Sequence, residues 1–148
     1  YKEEMVFLSN EISSEKRSKI MSHIKGKETS IEIKVRKYLY LHGFRYRKND
    51  KSLPGTPDIV ITKYRAAIFV NGCFWHHHYN CKYATLPKTR KDYWIPKIQR
   101  NVDNDIKNYH QLEELDYRVI VVWECEINEV FEYRMQQLIE EIKNPDYK

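Results

Sequence analysis

Apolar positions recur at helical spacing early in the chain. Ile31, Val35, Tyr38 and Leu39 fall on one face, behind a Thr29–Glu32 pair with capping-box spacing, and Gly43 supplies a stop. The pattern then shortens. Phe44–Arg47, Asp58–Thr62 and Ala66–Val70 read as strands, with Lys63, Tyr64 and Arg65 as the hairpin turn joining the last two. Tyr117–Trp123 reads as a strand covered on both faces, because Val119, Ile120, Val121 and Val122 run on without a polar break. Helical patterns flank it. One lies between Thr89 and Leu115, interrupted by Pro96, and another starts near Asn128 with Phe131, Met135, Leu138, Ile139 and Ile142 on one side. A short basic helix is expected over Ser14–Ile24. Residues 1–13 read as an N-terminal arm ahead of a single domain over 14–148. The order helix, hairpin, helix, strand, helix predicts an α/β sandwich around a mixed sheet.

Composition narrows the class. A chain of 148 residues is long enough for one domain with a real core. No apolar run approaches the roughly 18 residues of a membrane span, and no basic-then-apolar secretory signal opens the sequence. Three Cys, an odd number, argue against a disulfide framework and lead to the expectation of a cytoplasmic protein. The net charge of +5 is unevenly spread. Basic residues gather at Lys16–Lys27, at Arg45–Lys51 and at Lys88–Arg100, while acid collects at Glu124, Glu126, Glu129, Glu132, Glu140 and Glu141. That asymmetry suits a protein that lays one face on a polyanion, although solvated helix faces would give the same count. Aromatic residues at 14% add flat side chains on which bases could stack.

Chemistry concentrates between Asn71 and Cys81. Of six His in the chain, three stand together as His76, His77 and His78, between Cys73 and Cys81. Thiolate and imidazole are the preferred ligands of zinc, and a structural site takes four. Cys73, His78 and Cys81 can supply three from one loop, and Cys125 can close a Cys3His set; spacing alone leaves open which His serves. Free Cys packed as small hydrophobes are the alternative. Asp58 follows Pro54-Gly55-Thr56-Pro57, at the start of a strand whose neighbour ends at Val70. A carboxylate there, with a neighbouring backbone carbonyl, can hold a hard cation such as magnesium. His76 lies two residues before His78, so a metal-held loop would fix it as a general base. Glu32 has two readings, the capping partner of Thr29 or a carboxylate facing the active water. Asp105 counts as a solvated charge unless it orients His76.

Five stretches carry a resemblance to a known family. Arg17-Ser18-Lys19-Ile20-Met21, Thr29-Ser30-Ile31-Glu32, Ser52–Asp58, Gly72-Cys73-Phe74-Trp75-His76-His77-His78 and Val122-Trp123-Glu124-Cys125 together resemble the bacterial very-short-patch mismatch repair endonucleases, Vsr. The resemblance implies a three-layer, restriction-endonuclease-like sandwich. It also implies magnesium-dependent nicking 5′ to the T of a T:G mismatch, the product of 5-methylcytosine deamination. Carried over by position, Asp58 and the Val70 carbonyl would hold magnesium, His76 would activate water, Glu32 would support that water, and Asp105 would orient the imidazole. Cys73, His78, Cys81 and Cys125 would bind zinc. Phe74, Trp75 and Trp94 match aromatic wedges that enter the duplex, Met21 and Ile24 match apolar ones across the minor groove, and Lys97 and Asn101 match positions near the mismatch. The expected partner is mismatched double-stranded DNA bound by a monomer, with mismatch-repair proteins and a DNA polymerase as associates. Four departures stand out: an extra residue between His78 and Cys81, Val70 in place of a common Thr, Asn71 in place of a frequent His, and Pro96 in the helix near the wedge.

Two other functions fit part of the pattern. One is a restriction-type endonuclease cutting unmodified duplex, which would need a dimer to cut both strands. The other is a zinc-stabilised DNA-binding module in which Asp58 and His76 are structural.

Overall fold

A computed structural model describes residues 30–146. The expected N-terminal arm, the Ser14–Ile24 helix, Thr29, Met21 and Ile24 lie outside the described residues. The first described helix, α1, spans Ser30–Leu41 and buries Ile31, Val35, Arg36 and Leu39. It ends as its Gly43 predicts. Gly43 takes a left-handed φ of 89°, its N–H bonds the Tyr40 carbonyl at 3.0 Å, and the Phe44 N–H reaches back to Leu39 at 3.0 Å.

That helix end explains why the first strand is short. Phe44 is committed to the cap and the Tyr46 hydroxyl bonds the Arg36 carbonyl at 3.3 Å, so pairing begins only at β1, Arg47–Lys48, in place of the expected Phe44–Arg47. β2 (Ile59–Ile61) and β3 (Ala66–Asn71) form the expected hairpin, joined by a 3-10 turn at Thr62–Tyr64 with Arg65 left-handed at φ 53°. A long helix, α2, follows at Lys91–Glu114. Pro96 does not interrupt it as expected; the helix runs straight through. The missing N–H costs one bond, to Asp92, on an exposed stretch where water can satisfy that carbonyl.

β4 (Arg118–Trp123) pairs parallel to β3, completing a sheet in the order β1-β2-β3-β4 with the first three strands antiparallel. The expected C-terminal helix from near Asn128 is instead two: α3 at Glu124–Glu129 and α4 at Phe131–Lys143, broken at Val130, whose φ of -137° and ψ of 46° are not helical.

The sheet separates two cores, so the molecule has three layers. On one face Ile59, Ile61, Ile68, Val70, Ile120 and Val122 pack with Ile31, Val35 and Leu39 of α1, Ile127 of α3, and Met135, Leu138 and Ile142 of α4. On the other, Val60, Ala67 and Phe69 pack under Leu112 of α2. Among the described residues a single helix covers that face, and Val119 and Val121 are half-buried although the apolar run predicted both faces closed. No helix among the described residues is long and apolar enough to cross a membrane.

Candidate active site and metal centre

The ends of β3 and β4 and the start of β2 open at one end of the sheet, and the candidate residues gather there. Asp58 immediately precedes β2, and its Oδ2 accepts the Val70 N–H at 2.7 Å. An extended residue projects its N–H and C=O to the same edge, so the Val70 carbonyl faces the Asp58 side as well. Burial, followed by the nearby Glu32 carboxylate, raises the Asp58 pKa to about 7, against the pull of the Val70 N–H and Arg36. Glu32, in the first turn of α1, hydrogen-bonds with Asp58 and lies 3.6 Å from Arg36 Nη1. Of its two readings, the geometry therefore brings Glu32 to the carboxylate cluster. Two facing carboxylates in a half-buried place repel each other, and a divalent cation is the chemistry that relieves this.

His76 sits in the loop after β3, and its Nδ1 lies 2.7 Å from Asp105 Oδ2 of α2. Asp105 is thus no solvated charge. With Nδ1 on the carboxylate, Nε2 is left to face solvent or substrate. One turn on either side of Asp105, α2 makes two more contacts with the same segment. Asn101 Nδ2 donates to the Trp75 carbonyl at 3.0 Å, and Asn71 Nδ2 donates to the Tyr109 hydroxyl at 3.0 Å. Burial pushes the Tyr109 phenol up to about 12, helped by the charges of Asp105 and Asp58.

The aromatic residues of the loop form a cluster. Phe74 meets Trp75 and Trp94 edge-on at 5.2 and 5.3 Å, and Trp75 lies 5.9 Å from Trp94. Phe74, expected as an outward wedge, is only 2% exposed and packs as core beneath its two neighbours. Trp75 and Trp94 are the half-buried members. Lys97 Nζ lies 5.8 Å from the Trp75 ring centroid and donates to the Tyr93 hydroxyl at 3.4 Å. Around them Lys88, Arg90, Lys91 and Arg100 are exposed, a basic margin suited to phosphate.

In the same loop and at the start of α3, Cys73, His78, Cys81 and Cys125 bring their ligand atoms within 4.8 Å of one another. His78 Nδ1 lies 3.6 Å from Cys73 Sγ and 3.5 Å from Cys125 Sγ. A tetrahedron with zinc–sulfur near 2.3 Å and zinc–nitrogen near 2.0 Å places such atoms about 3.6 Å apart, which the two His78–sulfur pairs match, so the donor set fits zinc in chemistry and in span. Burial and the neighbouring sulfurs push the Cys73 and Cys125 thiols up, and burial pushes the His78 imidazolium down. Neutral imidazole and crowded thiols are what a cation would convert into ligands. Between His78 and Cys81 the backbone turns through a left-handed Asn80 (φ 56°), and Cys81 reaches the cluster.

Several supporting residues carried no assigned role in the sequence. Trp123 stacks on His78, ring centroids 4.1 Å apart and 6° from parallel. Glu124, counted among the acidic residues, is buried and accepts the Cys73 N–H at 3.4 Å. Glu126 accepts the Trp123 N–H at 2.8 Å and lies 3.3 Å from the buried Arg134. Tyr109 could have been found by its spacing, four residues beyond Asp105 and eight beyond Asn101.

A carboxylate pair at a strand start, an imidazole held by a second helix and a Cys3His cluster that could hold a metal, on a three-layer sheet, make a restriction-endonuclease-like scaffold. Comparisons with known proteins make this specific. Residues 9–82 match the family model described as DNA mismatch endonuclease Vsr. The chain is 46% identical over 134 residues to the type II nicking enzyme V.NmeAIP of Neisseria meningitidis serogroup A, covering 89% of this chain and 95% of that protein. It is 45% identical over 109 residues to the DNA mismatch endonuclease Vsr of Escherichia coli, covering 74% and 69%. The type II nicking enzyme V.XorIIP of Xanthomonas oryzae pv. oryzae is 40% identical over 135 residues, covering 90% and 98%. The chain belongs to the Vsr family of DNA mismatch endonucleases.

Proposed function

We propose that this protein nicks one strand of duplex DNA 5′ to the T of a T:G mismatch, as a monomer that requires magnesium and carries a structural zinc. The observations that carry the reading are the Asp58–Glu32 carboxylate pair set against Val70 near the end of β3 and, in the loop that follows, His76 held by Asp105. Asp58 and the Val70 carbonyl are the ligands for magnesium, which when bound neutralises charge developing on the phosphodiester. Asp105 holds the imidazole with its proton on Nδ1, so Nε2 is the base that takes the proton from the attacking water. Glu32 accepts a second hydrogen bond from that water. Trp75 and Trp94 serve as wedges that test whether a base step opens, which a wobble pair does more easily than a normal one. Phe74 would join them only if the ring cluster parted. Lys97 neutralises phosphate beside the wedge, and Asn101 holds the wedge by its backbone. Met21 and Ile24 are proposed as the opposing apolar residues. Cys73, His78, Cys81 and Cys125 hold zinc, which anchors the loop that bears His76.

The test is strand nicking of paired synthetic duplexes, one with T:G in a methyltransferase-type site and one with T:A, each with and without magnesium. Nicking of only the T strand of the mismatched duplex, lost in Asp58→Asn while DNA binding persists, is the expected result. Equal cutting of both duplexes would favour a restriction-type enzyme, and cation-independent binding without cutting would favour a non-catalytic module.

A further inference from the structure

Three side-chain hydrogen bonds join helix α2 to the end of β3 and the loop leaving it, and all three come from one stripe of the helix. Asn101 bonds the Trp75 carbonyl, Asp105 bonds His76, and Tyr109 bonds Asn71. Residues four apart stack on one helix face, with a step of about 6 Å along the axis. The first two contacts serve the wedge and the base. The third has no role in the reading above, yet its placement is specific. Asn71 is the last residue of β3, directly after Val70, and is only 4% exposed. A buried amide there needs a partner, and the Tyr109 hydroxyl is the one it has among the described residues. The Tyr109 ring is itself set against Phe69 of the same strand, centroids 5.0 Å apart, so the hydroxyl sits on a packed support.

We infer that Asn71 and Tyr109 are a positioning pair that ties the site end of β3 to the helix that also orients His76. The inference rests on the proposed roles of Asp58, Val70 and His76. Hydrolysis needs the cation ligands and the base at one fixed separation, with tolerances of about 0.5 Å. The Val70 carbonyl moves with β3, whereas His76 moves with a loop of successive turns that ends in the left-handed His77. Leu112 and the Tyr109 ring hold the helix to the sheet by apolar contact, which is not directional, and Asp105 ties it to the loop. Tyr109, one turn further along, pins that helix to the strand, so strand, helix and loop form a closed frame around the reacting atoms.

Tyr109→Phe tests this, because it keeps the ring against Phe69 and removes only the hydroxyl. The expected result is a fall in kcat of about tenfold on the T:G duplex with KM within about twofold of wild type. Thermal stability should be nearly unchanged, and Mn2+ should bind the DNA-free protein about threefold more weakly. Asn71→Ala should cause the same kcat loss, and the double variant should lose nothing further, since either change breaks the one bond. A Tyr109→Phe enzyme equal to wild type in both kcat and Mn2+ affinity, or losses that simply add in the double variant, would overturn the pairing. If wild type fails to nick, the functional reading falls and Mn2+ affinity decides alone. Weaker binding in Tyr109→Phe would still support the pair, and equal binding would remove it.

Discussion

Asp58 is where a single side chain sets the behaviour of the site. Its folded pKa of about 7 lies above the ordinary 3.8, with burial the larger cause and Glu32 the next. The folded metal-free protein therefore holds this proton more tightly than the unfolded chain. The corresponding stability is full below pH 3.8 and is lost as pH rises through about 7. A cation must displace the same proton. At limiting magnesium, nicking should rise through about pH 7, and saturating magnesium should move that rise to lower pH. Rate profiles at two magnesium concentrations check this, and a rise that stays put would remove Asp58 from the coordination. Asp105→Asn should keep the fold but lower kcat by about 10²–10⁴ with KM little changed, because the imidazole loses its fixed tautomer. Wild-type kcat in that variant would show the 2.7 Å contact to be structural only.

Local backbone demands decide how the elements meet. Gly55 has φ +76°, and a Cβ built there would lie 2.9 Å from Asn108 Cβ on α2. Both conditions exclude a side chain, so the turn before Asp58 presses directly on the helix that bears Asp105 and Tyr109. Gly55→Ala should cost about 1–3 kcal/mol, measurable by urea unfolding, and should lower nicking beyond what stability accounts for. Pro96 offers the opposite test. Since α2 passes through it unbroken, Pro96→Ala restores a bond to the Asp92 carbonyl and should stabilise the protein by about 1–3 kcal/mol. No gain would mean that the proline's rigidity at the wedge end of the helix offsets the lost bond.

At the scale of the molecule, the proposed zinc centre joins parts that are distant in the chain. Cys73, His78 and Cys81 leave β3, while Cys125 opens α3 after β4. Trp123, Glu124 and Arg134 brace that junction from the other side. Chelation of the metal, or Cys125→Ser, should lower Tm by roughly 10 °C or more, since each kcal/mol is worth about 2–4 °C at this chain length. Nicking should fall in parallel, because His76 rides on the same loop. Elemental analysis of the purified protein and its Tm with and without chelator check both claims. Full metal loss with unchanged Tm would leave the cluster without its structural role.

Much of this protein was readable in its sequence, for reasons of period and chemistry. Helical spacing marked α1 down to its Gly43 stop, and β-branched runs marked β2, β3 and β4, because each buries its face against the sheet core. Ligand chemistry brought Cys73, His78, Cys81 and Cys125 together on paper as the fold does in space. Other features depended on neighbours far along the chain. Phe44 reads as strand but is claimed by the end of α1, and Pro96 reads as a break but lies where water can satisfy the freed carbonyl. Phe74 reads as a wedge, yet Trp75 and Trp94 close over it. Tyr109 and Glu124 look like surface polar residues, and Glu32 and Asp105 keep two readings each, until the fold brings Glu32 to Asp58, Asp105 to His76, Tyr109 to Asn71 and Glu124 to Cys73. A residue's type and period come from its own stretch of chain, whereas its partner and its exposure are set by where the other elements pack.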